Sequence, residues 1–236
     1  MSDHLYTTLL LPFLLVCLLV QPASIGRAEE LHITQKDIRH IEQTYQNMTS
    51  LSFQFQQKTR SGGRDRLGAG KAVFYRPGNS KDEIMRWDYI EPDKQIILKN
   101  GDKLSIYSEQ DNQLIITSAN DVETDIIYGF FAGTRQITDD FTSVVPDDQF
   151  VFHLQGTPLH ILKLVPALPH PKIKFLQIWY DDVYLIHHLI MEDHFDSITE
   201  LTFSEIVTNA LPAHSAKTIQ SLTWLNLPDN TEIISQ

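Results

Sequence analysis

The chain has 236 residues, of which 42% are hydrophobic and 21% charged, and a formal net charge of −11 at pH 7. That length and composition suit one large globular domain, and no low-complexity linker separates two halves. The excess of acidic residues, with no basic cluster to offset it, argues against a phosphate backbone and so against nucleic acid as a partner.

Residues 5–20 form an apolar run too short to span a bilayer comfortably, followed by Pro22 and several small residues. In Gly26-Arg27-Ala28 the small residues occupy positions −3 and −1 of a signal-peptidase site. The pattern predicts a signal peptide over residues 1–28, cleaved after Ala28, and a single domain over residues 29–236. The start of the chain is poor in positive charge, with His4 beside Asp3, which leaves a retained N-terminal anchor as the alternative. Cys17, the only cysteine, lies inside the apolar run. Leu14-Leu15-Val16 lacks the small residue normally placed before a lipidated cysteine, so the mature chain is expected to have neither disulfide nor thiol chemistry.

Thr34-Gln35-Lys36-Asp37 reads as the start of a helix on which Ile38, Ile41, Tyr45 and Met48 recur at three- and four-residue spacing. Leu51, Phe53 and Phe55 then alternate with Ser52, Gln54 and Gln56, the period of a strand. Ser61-Gly62-Gly63-Arg64 is a turn leading to a strand over residues 69–76, on which Ala72, Phe74 and Arg76 share a face. A β-meander follows, with strands at 84–90, 95–99, 103–108 and 113–118. Its turns are Arg76-Pro77-Gly78-Asn79, Glu91-Pro92-Asp93 as a type I turn, and the hairpin signal Asn100-Gly101. Met85, Trp87 and Tyr89 point to one side of the third strand, Arg86 and Asp88 to the other.

Residues 122–136 break the β rhythm, clustering Val122, Ile126, Ile127, Phe130 and Phe131 on a helical face that Gly129 and Gly133 weaken. Beyond Asp139-Asp140, strands are predicted at 149–155, 161–165, 173–180, 183–192 and 198–207, with a last short piece at about 222–225. Ten or eleven antiparallel strands of this kind can roll into a barrel wide enough inside for a ligand.

Chemistry-bearing residues are few. His187, His188, Glu192, Asp193 and His194 carry metal-ligating atoms, but adjacent histidines on a strand point to opposite faces and the others sit at a turn. Asp139-Asp140, Asp147-Asp148 and Asp181-Asp182 read as turn and loop residues, with nothing local to oppose two carboxylates. No Gly-x-Ser-x-Gly elbow, phosphate-cradling glycine loop or dinucleotide fingerprint occurs. No cofactor and no metal are implied.

Several short stretches recur in an ordered pattern: Phe55-Gln56-Gln57-Lys58, then Gly70 with Arg76-Pro77, Arg86-Trp87-Asp88-Tyr89, Pro92-Asp93-Lys94-Gln95, and residues 100–107 from Asn100-Gly101-Asp102-Lys103 to Ile106-Tyr107. In this order and spacing they resemble the periplasmic outer-membrane lipoprotein carrier family, LolA. The match is firm over residues 51–107 and looser to the C-terminus. The resemblance implies a mainly β fold, an incomplete antiparallel β-barrel with a lid of short helices over an apolar cavity. It places Phe53, Phe55, Phe74, Trp87, Tyr89, Leu104 and Ile106 around the cavity. Ile38, Ile41, Tyr45, Ile126, Ile127, Phe130 and Phe131 belong to the lid, and Arg76 bonds to lid backbone.

Read without the family, the aromatic face is a packed core, and Arg76 is either a rim residue or a buried donor needing acceptors. A sheet this large nevertheless has more apolar face than one short helix covers. The family further implies a monomeric, non-enzymatic periplasmic carrier that takes acylated lipoproteins from an inner-membrane ABC exporter to an outer-membrane receptor. The alternatives are a module for another acylated lipid or glycolipid, a sensor of lipoprotein mislocalisation, and a secreted hydrolase on a β scaffold. Leu222-Thr223-Trp224-Leu225-Asn226-Leu227-Pro228 departs from the family's Phe-x-Phe-x-x-Pro, and residues 211–215 add a loop, so the last strand and any C-terminal docking stay open.

Overall fold

The computed structural model describes residues 25–76, 78, 83–119, 131 and 137–235, the side chains of residues 25–34 excepted. Alternating apolar positions produce the strands β1 (Ser50–Ser61), β2 (Arg64–Tyr75), β3 (Ile84–Glu91), β4 (Gln95–Asn100), β5 (Lys103–Ser108), β6 (Gln113–Ser118), β7 (Phe141–Val144), β8 (His160–Pro166), β9 (Phe175–Tyr180), β10 (Ile186–Glu192), β11 (Ile198–Thr208) and β12 (Glu232–Ser235). Together they form one 12-stranded sheet in the order β12-β6-β5-β4-β3-β2-β1-β11-β10-β9-β8-β7. The sheet is open: β12 and β7 form its two edges and do not meet. Every pairing is antiparallel except that of β12 with β6.

Register converts the sequence alternation into rows that cross the sheet. Phe53 lies opposite Ala72, Ala72 opposite Trp87, Trp87 opposite Ile97, and Ile97 opposite Ile106. The neighbouring row runs through Leu51, Phe74 and Met85. These rows make up an inner face, which the helix α1 (Ile25–Gln46) covers with Ile38, Ile41 and Tyr45. The short helix α2 (Ile137–Asp140) adds Ile137 to the same apolar cluster.

The outer face carries two separate apolar patches. Tyr75, Ile84 and Leu98 are covered by Leu211, Leu225 and two side chains of a helix α3 (Ala216–Thr223), Ile219 and Leu222. Phe175, Trp179 and Ile190 are covered by Phe150, Phe152 and Leu159. α3 starts at Ser215, whose hydroxyl accepts from the Thr218 N–H at 3.2 Å. Arg86 ties the end of this helix to the sheet, donating from Nη1 to the carbonyls of Leu222 at 3.0 Å and Trp224 at 2.7 Å.

Several sequence expectations need correction. α1 begins at Ile25, before Thr34, and β2 begins at Arg64, before residue 69. Residues 149–155 are not a strand: the alternation of Phe150 and Phe152 reflects one-sided packing on the outer face, not a ladder. The strand in that region is β7, four residues whose alternation is too short to stand out. Residues 183–185 form a turn in which Tyr184 has φ +65°. Asp139 and Asp140 lie in α2 and not in a turn. Leu222 and Thr223 end α3, and the last strand is β12, because Ile219 and Leu222 find an apolar patch at helical spacing. The Glu91–Pro92 peptide is cis, a feature absent from the expected type I turn.

Gly70 shows how tightly the middle of the sheet is built. It lies opposite both Phe55 and Tyr89, and a Cβ there would sit 2.1 Å from the Asp88 carbonyl oxygen and 2.9 Å from the Phe55 ring. Backbone cannot yield as a flexible side chain does. Gly70→Ala is therefore expected to lower stability by about 1–3 kcal/mol, the usual range for overpacking. Urea denaturation with an unchanged slope checks this, and a midpoint equal to wild type contradicts it.

Candidate binding site

The centre of the inner face is a cluster of rings. Phe53 lies between Phe203, Phe131, Trp87 and Phe74, at centroid distances of 4.8, 5.4, 5.7 and 6.1 Å. Phe55 meets Trp87 at 4.7 Å and Tyr89 at 4.9 Å in tilted and edge-on geometries, the arrangements aromatic quadrupoles favour. From the other side Tyr45 of α1 meets Phe131 edge-on at 5.7 Å. Helix and sheet thus share one apolar interface.

The polar contacts that seat α1 lie around this interface. Arg76, just past the end of β2, donates from Nη1 to the Gln46 carbonyl at 2.6 Å and from Nη2 to the Tyr45 carbonyl at 2.7 Å. These are carbonyls of the last helical turn, which have no partner within the helix and carry its negative dipole end. Glu83 stands 3.7 Å from Arg76 Nε. Burial pulls the guanidinium pKa down while Glu83 opposes that shift, and an arginine stays charged in either case. The buried Tyr45 hydroxyl accepts from the Ile186 N–H at 3.0 Å, and burial raises its pKa well above the usual value. Glu42 accepts from the Thr138 N–H at 2.8 Å, joining α1 to α2, and His40 Nδ1 shares a hydrogen bond of 2.8 Å with the Tyr184 hydroxyl.

The structure brings Phe53, Phe55, Phe74, Trp87 and Tyr89 together with Ile38, Ile41, Tyr45 and Phe131 in a single cluster. Leu104 is buried and Ile106 half-buried on the same side of β5, but neither belongs to that cluster. Ile126, Ile127 and Phe130 lie outside the described residues. Arg76 meets the Tyr45 and Gln46 backbone carbonyls of the covering helix. The sequence reading missed Phe203 and Leu201 and the apolar rows of β8 to β10, including Leu162, Ile178 and Leu189. Period two in residues 198–207 could have supplied the first two.

Beyond Tyr89 the cluster gives way to a polar groove of about 490 Å³, lined among others by Gln57, Thr59, Arg66, Glu91 and Lys94. Tyr89 borders both regions, and its hydroxyl donates to Gln57 Oε1 at 2.9 Å.

The titratable residues singled out in the sequence are dispersed. His187 bonds Asp181 at 2.9 Å on one face, and His188 bonds the Thr202 hydroxyl at 3.0 Å on the other. Glu192 pairs with Lys174, and His194 donates to the His170 carbonyl at 2.7 Å. Asp147 pairs with Lys163, Asp182 with His160, and Asp181 accepts from the Val183 and Leu185 N–H groups.

An open antiparallel sheet whose aromatic inner face is roofed by a helix defines an incomplete β-barrel. A family model described as outer membrane lipoprotein carrier protein LolA matches residues 46–218, and the chain belongs to that family. An outer-membrane lipoprotein carrier protein from Nitrosomonas europaea is 24% identical over 144 residues, 61% of this chain. The chain spans 64% of the length of that curated relative. Among solved structures, an uncharacterized conserved protein from Thermus thermophilus superposes with a TM-score of 0.50 at 10% identity, over 86% of this chain and 98% of its own. A LolA superfamily protein from Nitrosomonas europaea has a TM-score of 0.39 at 14% identity, over 76% of this chain and 94% of its own. At 10% identity, the Thermus thermophilus structure speaks for the fold alone. Among the described residues no helix is long and apolar enough to cross a membrane.

His188 gives the outer face a pH dependence. Stacked on Phe152 at 4.4 Å and packed edge-on against Trp179, it is held neutral by burial, which pushes its pKa down to about 4. Against the usual value near 6.5 that gap corresponds to about 3 kcal/mol. A folded pKa below the unfolded one contributes stability that is complete above about pH 6.5 and lost as pH falls towards 4. His188→Gln is expected to flatten the stability profile in this window, as read by thermal melts between those limits. An unchanged slope would contradict the assignment.

Proposed function

We propose that this protein is a non-enzymatic periplasmic carrier that binds the acyl chains of lipoproteins against its aromatic inner face and shuttles them from the inner to the outer membrane. The observation that carries the reading is the Arg76 bridge to the last carbonyls of α1, directly beside the ring cluster. A helix roofing an apolar face through a few polar contacts can lift off and be replaced by a ligand. The family match supports a carrier, and the exporter and receptor that would load and unload it are inferred from the family.

The physical problem is release. Each buried methylene contributes about 0.8 kcal/mol, so a chain of roughly sixteen carbons represents on the order of 12 kcal/mol gross. A face that stood open to receive it would bind too tightly to hand it on. Here Ile38, Ile41, Tyr45 and Phe131 pack on the same rings, so that helix and cargo would compete for them and the net affinity would stay transferable. Phe53, Phe55, Phe74, Trp87 and Tyr89 would contact the chain first, with Leu104 and Ile106 extending the apolar surface across β5.

Protein purified from the cell envelope without detergent is expected to carry acylated lipid detectable by mass spectrometry. Recovery of lipid other than lipoprotein would favour the reading as a carrier of another acylated lipid. A protein free of lipid, with no saturable lipopeptide binding, would make the ring cluster an ordinary core.

Arg76→Leu gives the reading a sign. Hydrogen bonds from a charged donor contribute about 1.5–3 kcal/mol, and these stabilise only the closed, empty state. The variant should bind lipopeptide at least as well as wild type and release it into acceptor vesicles about ten- to a hundredfold more slowly. Faster release would reverse the mechanism.

The export reading belongs to the same proposal, with removal of residues 1–28 leaving Glu29 inside what remains of α1. Intact-mass measurement of the exported protein is expected to place its first residue at Glu29, and a mass that retains residues 5–20 points to an anchored form.

A further inference from the structure

Antiparallel topology gathers five connections at one end of the sheet, opposite the end where Arg76 meets α1. They are the β1–β2, β3–β4, β5–β6, β8–β9 and β10–β11 turns. On the β8–β11 and β1–β2 flank of this end, large apolar side chains stand in solvent: Phe195 is 87% exposed, Leu168 79% and Leu67 68%. Scattered exposed leucines are ordinary, but two large apolar side chains on neighbouring turns, with Leu67 near the start of the adjoining strand β2, mark a rim that can take a partner. Arg60 lies opposite Ile198, which brings the β1–β2 hairpin beside the turn that bears Phe195. The His194 bond to the His170 carbonyl joins that turn to the loop that bears Leu168.

The same flank is basic in a chain of net charge −11. Lys58, Arg60, Arg64 and Arg66 lie on one hairpin with a single acid, Asp65, a concentration of charge that the sequence reading of an acidic surface without a basic cluster overlooked. Three of the acids nearby make internal contacts, and Glu200 lies opposite Lys58 across β1 and β11. Asp65 pairs with Lys58 and Arg60, Asp196 pairs with Lys174, and the Asp193 carboxylate accepts from the Phe195 and Ser197 N–H groups. Among the described residues the side chains of Arg64, Arg66 and Lys172 have no ion-pair partner, and all three residues are exposed. The acidic turns around Asp93 and Asp111 belong to the β3–β6 side but line the polar groove together with Arg66, so an anionic surface is met chiefly by Arg64 and Lys172, with Arg66 at the groove's edge.

We propose that the rim built from the β1–β2 hairpin, residues 167–172 and the β10–β11 turn docks on an anionic lipid bilayer, with Phe195, Leu168 and Leu67 entering the interface and Arg64, Arg66 and Lys172 facing lipid phosphates. Cations over an anionic leaflet supply a salt-sensitive attraction that falls off within a Debye length, and shallow apolar side chains add a salt-insensitive one. The combination favours lipid over an acidic protein surface, since a rim that offers both terms at its edge requires no matching shape. The docking site is distinct from the ring cluster and goes beyond the carrier reading. The polar groove, which Leu67 and Arg66 help to line, opens at this rim.

Flotation of the protein, in the form the cell produces it, with vesicles of phosphatidylglycerol or of phosphatidylcholine tests the docking without any lipopeptide present. Failure of the carrier reading and failure of this one are therefore separable. The protein is expected to float with phosphatidylglycerol at low salt, and about tenfold or more weakly with phosphatidylcholine or at high salt. The double variant Arg64→Glu, Arg66→Glu should lose the preference for the anionic vesicle, and Phe195→Ser should weaken binding while retaining the salt dependence. All three positions are exposed, and unchanged melting temperatures confirm intact folding. Equal binding to both vesicles, no binding to either, or either variant floating like wild type overturns the proposal.

Discussion

The architecture depends on a charged fork meeting the open end of a helix. Arg76 reaches the Tyr45 and Gln46 carbonyls, which the helix itself cannot satisfy, and it does so from the position just after a strand whose last inward residues are Phe74 and Ala72. The strand thus sets the distance between the helix end and the aromatic floor. Because the guanidinium is planar and offers several donors in fixed directions, one residue can hold two successive carbonyls. Remove the fork and the apolar contact between α1 and the sheet has no polar registration at that end. Glu42 with Thr138 and Tyr45 with Ile186 provide it further along, and all three ties radiate from the C-terminal part of α1.

Each apolar surface of the sheet has its own cover, and the covers differ in kind. The two outer patches are closed by segments that bury aliphatic and aromatic side chains in small separate groups. The inner face is closed by a helix and Phe131 over a continuous floor of rings. The inner face thus has one continuous cover, whereas the outer patches are closed separately by short segments.

Legibility in the sequence followed the range of the interactions. Strands β3 to β6 were readable nearly to the residue, because two-residue alternation and the Asn100-Gly101 hairpin are local signals. The ring residues were readable as one face of their strands, and Arg76 as a donor on that face. What could not be read depended on packing at a distance. Phe150 and Phe152 alternate as a strand would, but they serve an outer patch formed by β9 and β10. Leu222 reads as β until Tyr75 and Leu98, more than a hundred residues away, supply a surface for a helix. Glu42 and Thr138, 96 residues apart, have no sequence signal linking them. Nor was the basic hairpin visible in a net charge, which averages over the chain what the β1–β2 turn concentrates.

The way the sheet ends bears on how the protein coexists with itself at high concentration. After β11 the chain crosses the outer face through α3 and returns to lay β12 alongside β6, so the long meander is sealed by the protein's own tail. Among the described residues only β12 and β7 remain as margins, each 4 residues long. An unpaired row that short gives another chain little backbone on which to template itself, and Asp229 and Glu232 add charge near one margin. A sheet with so greasy an inner face has thereby kept its backbone edges too brief to recruit neighbours.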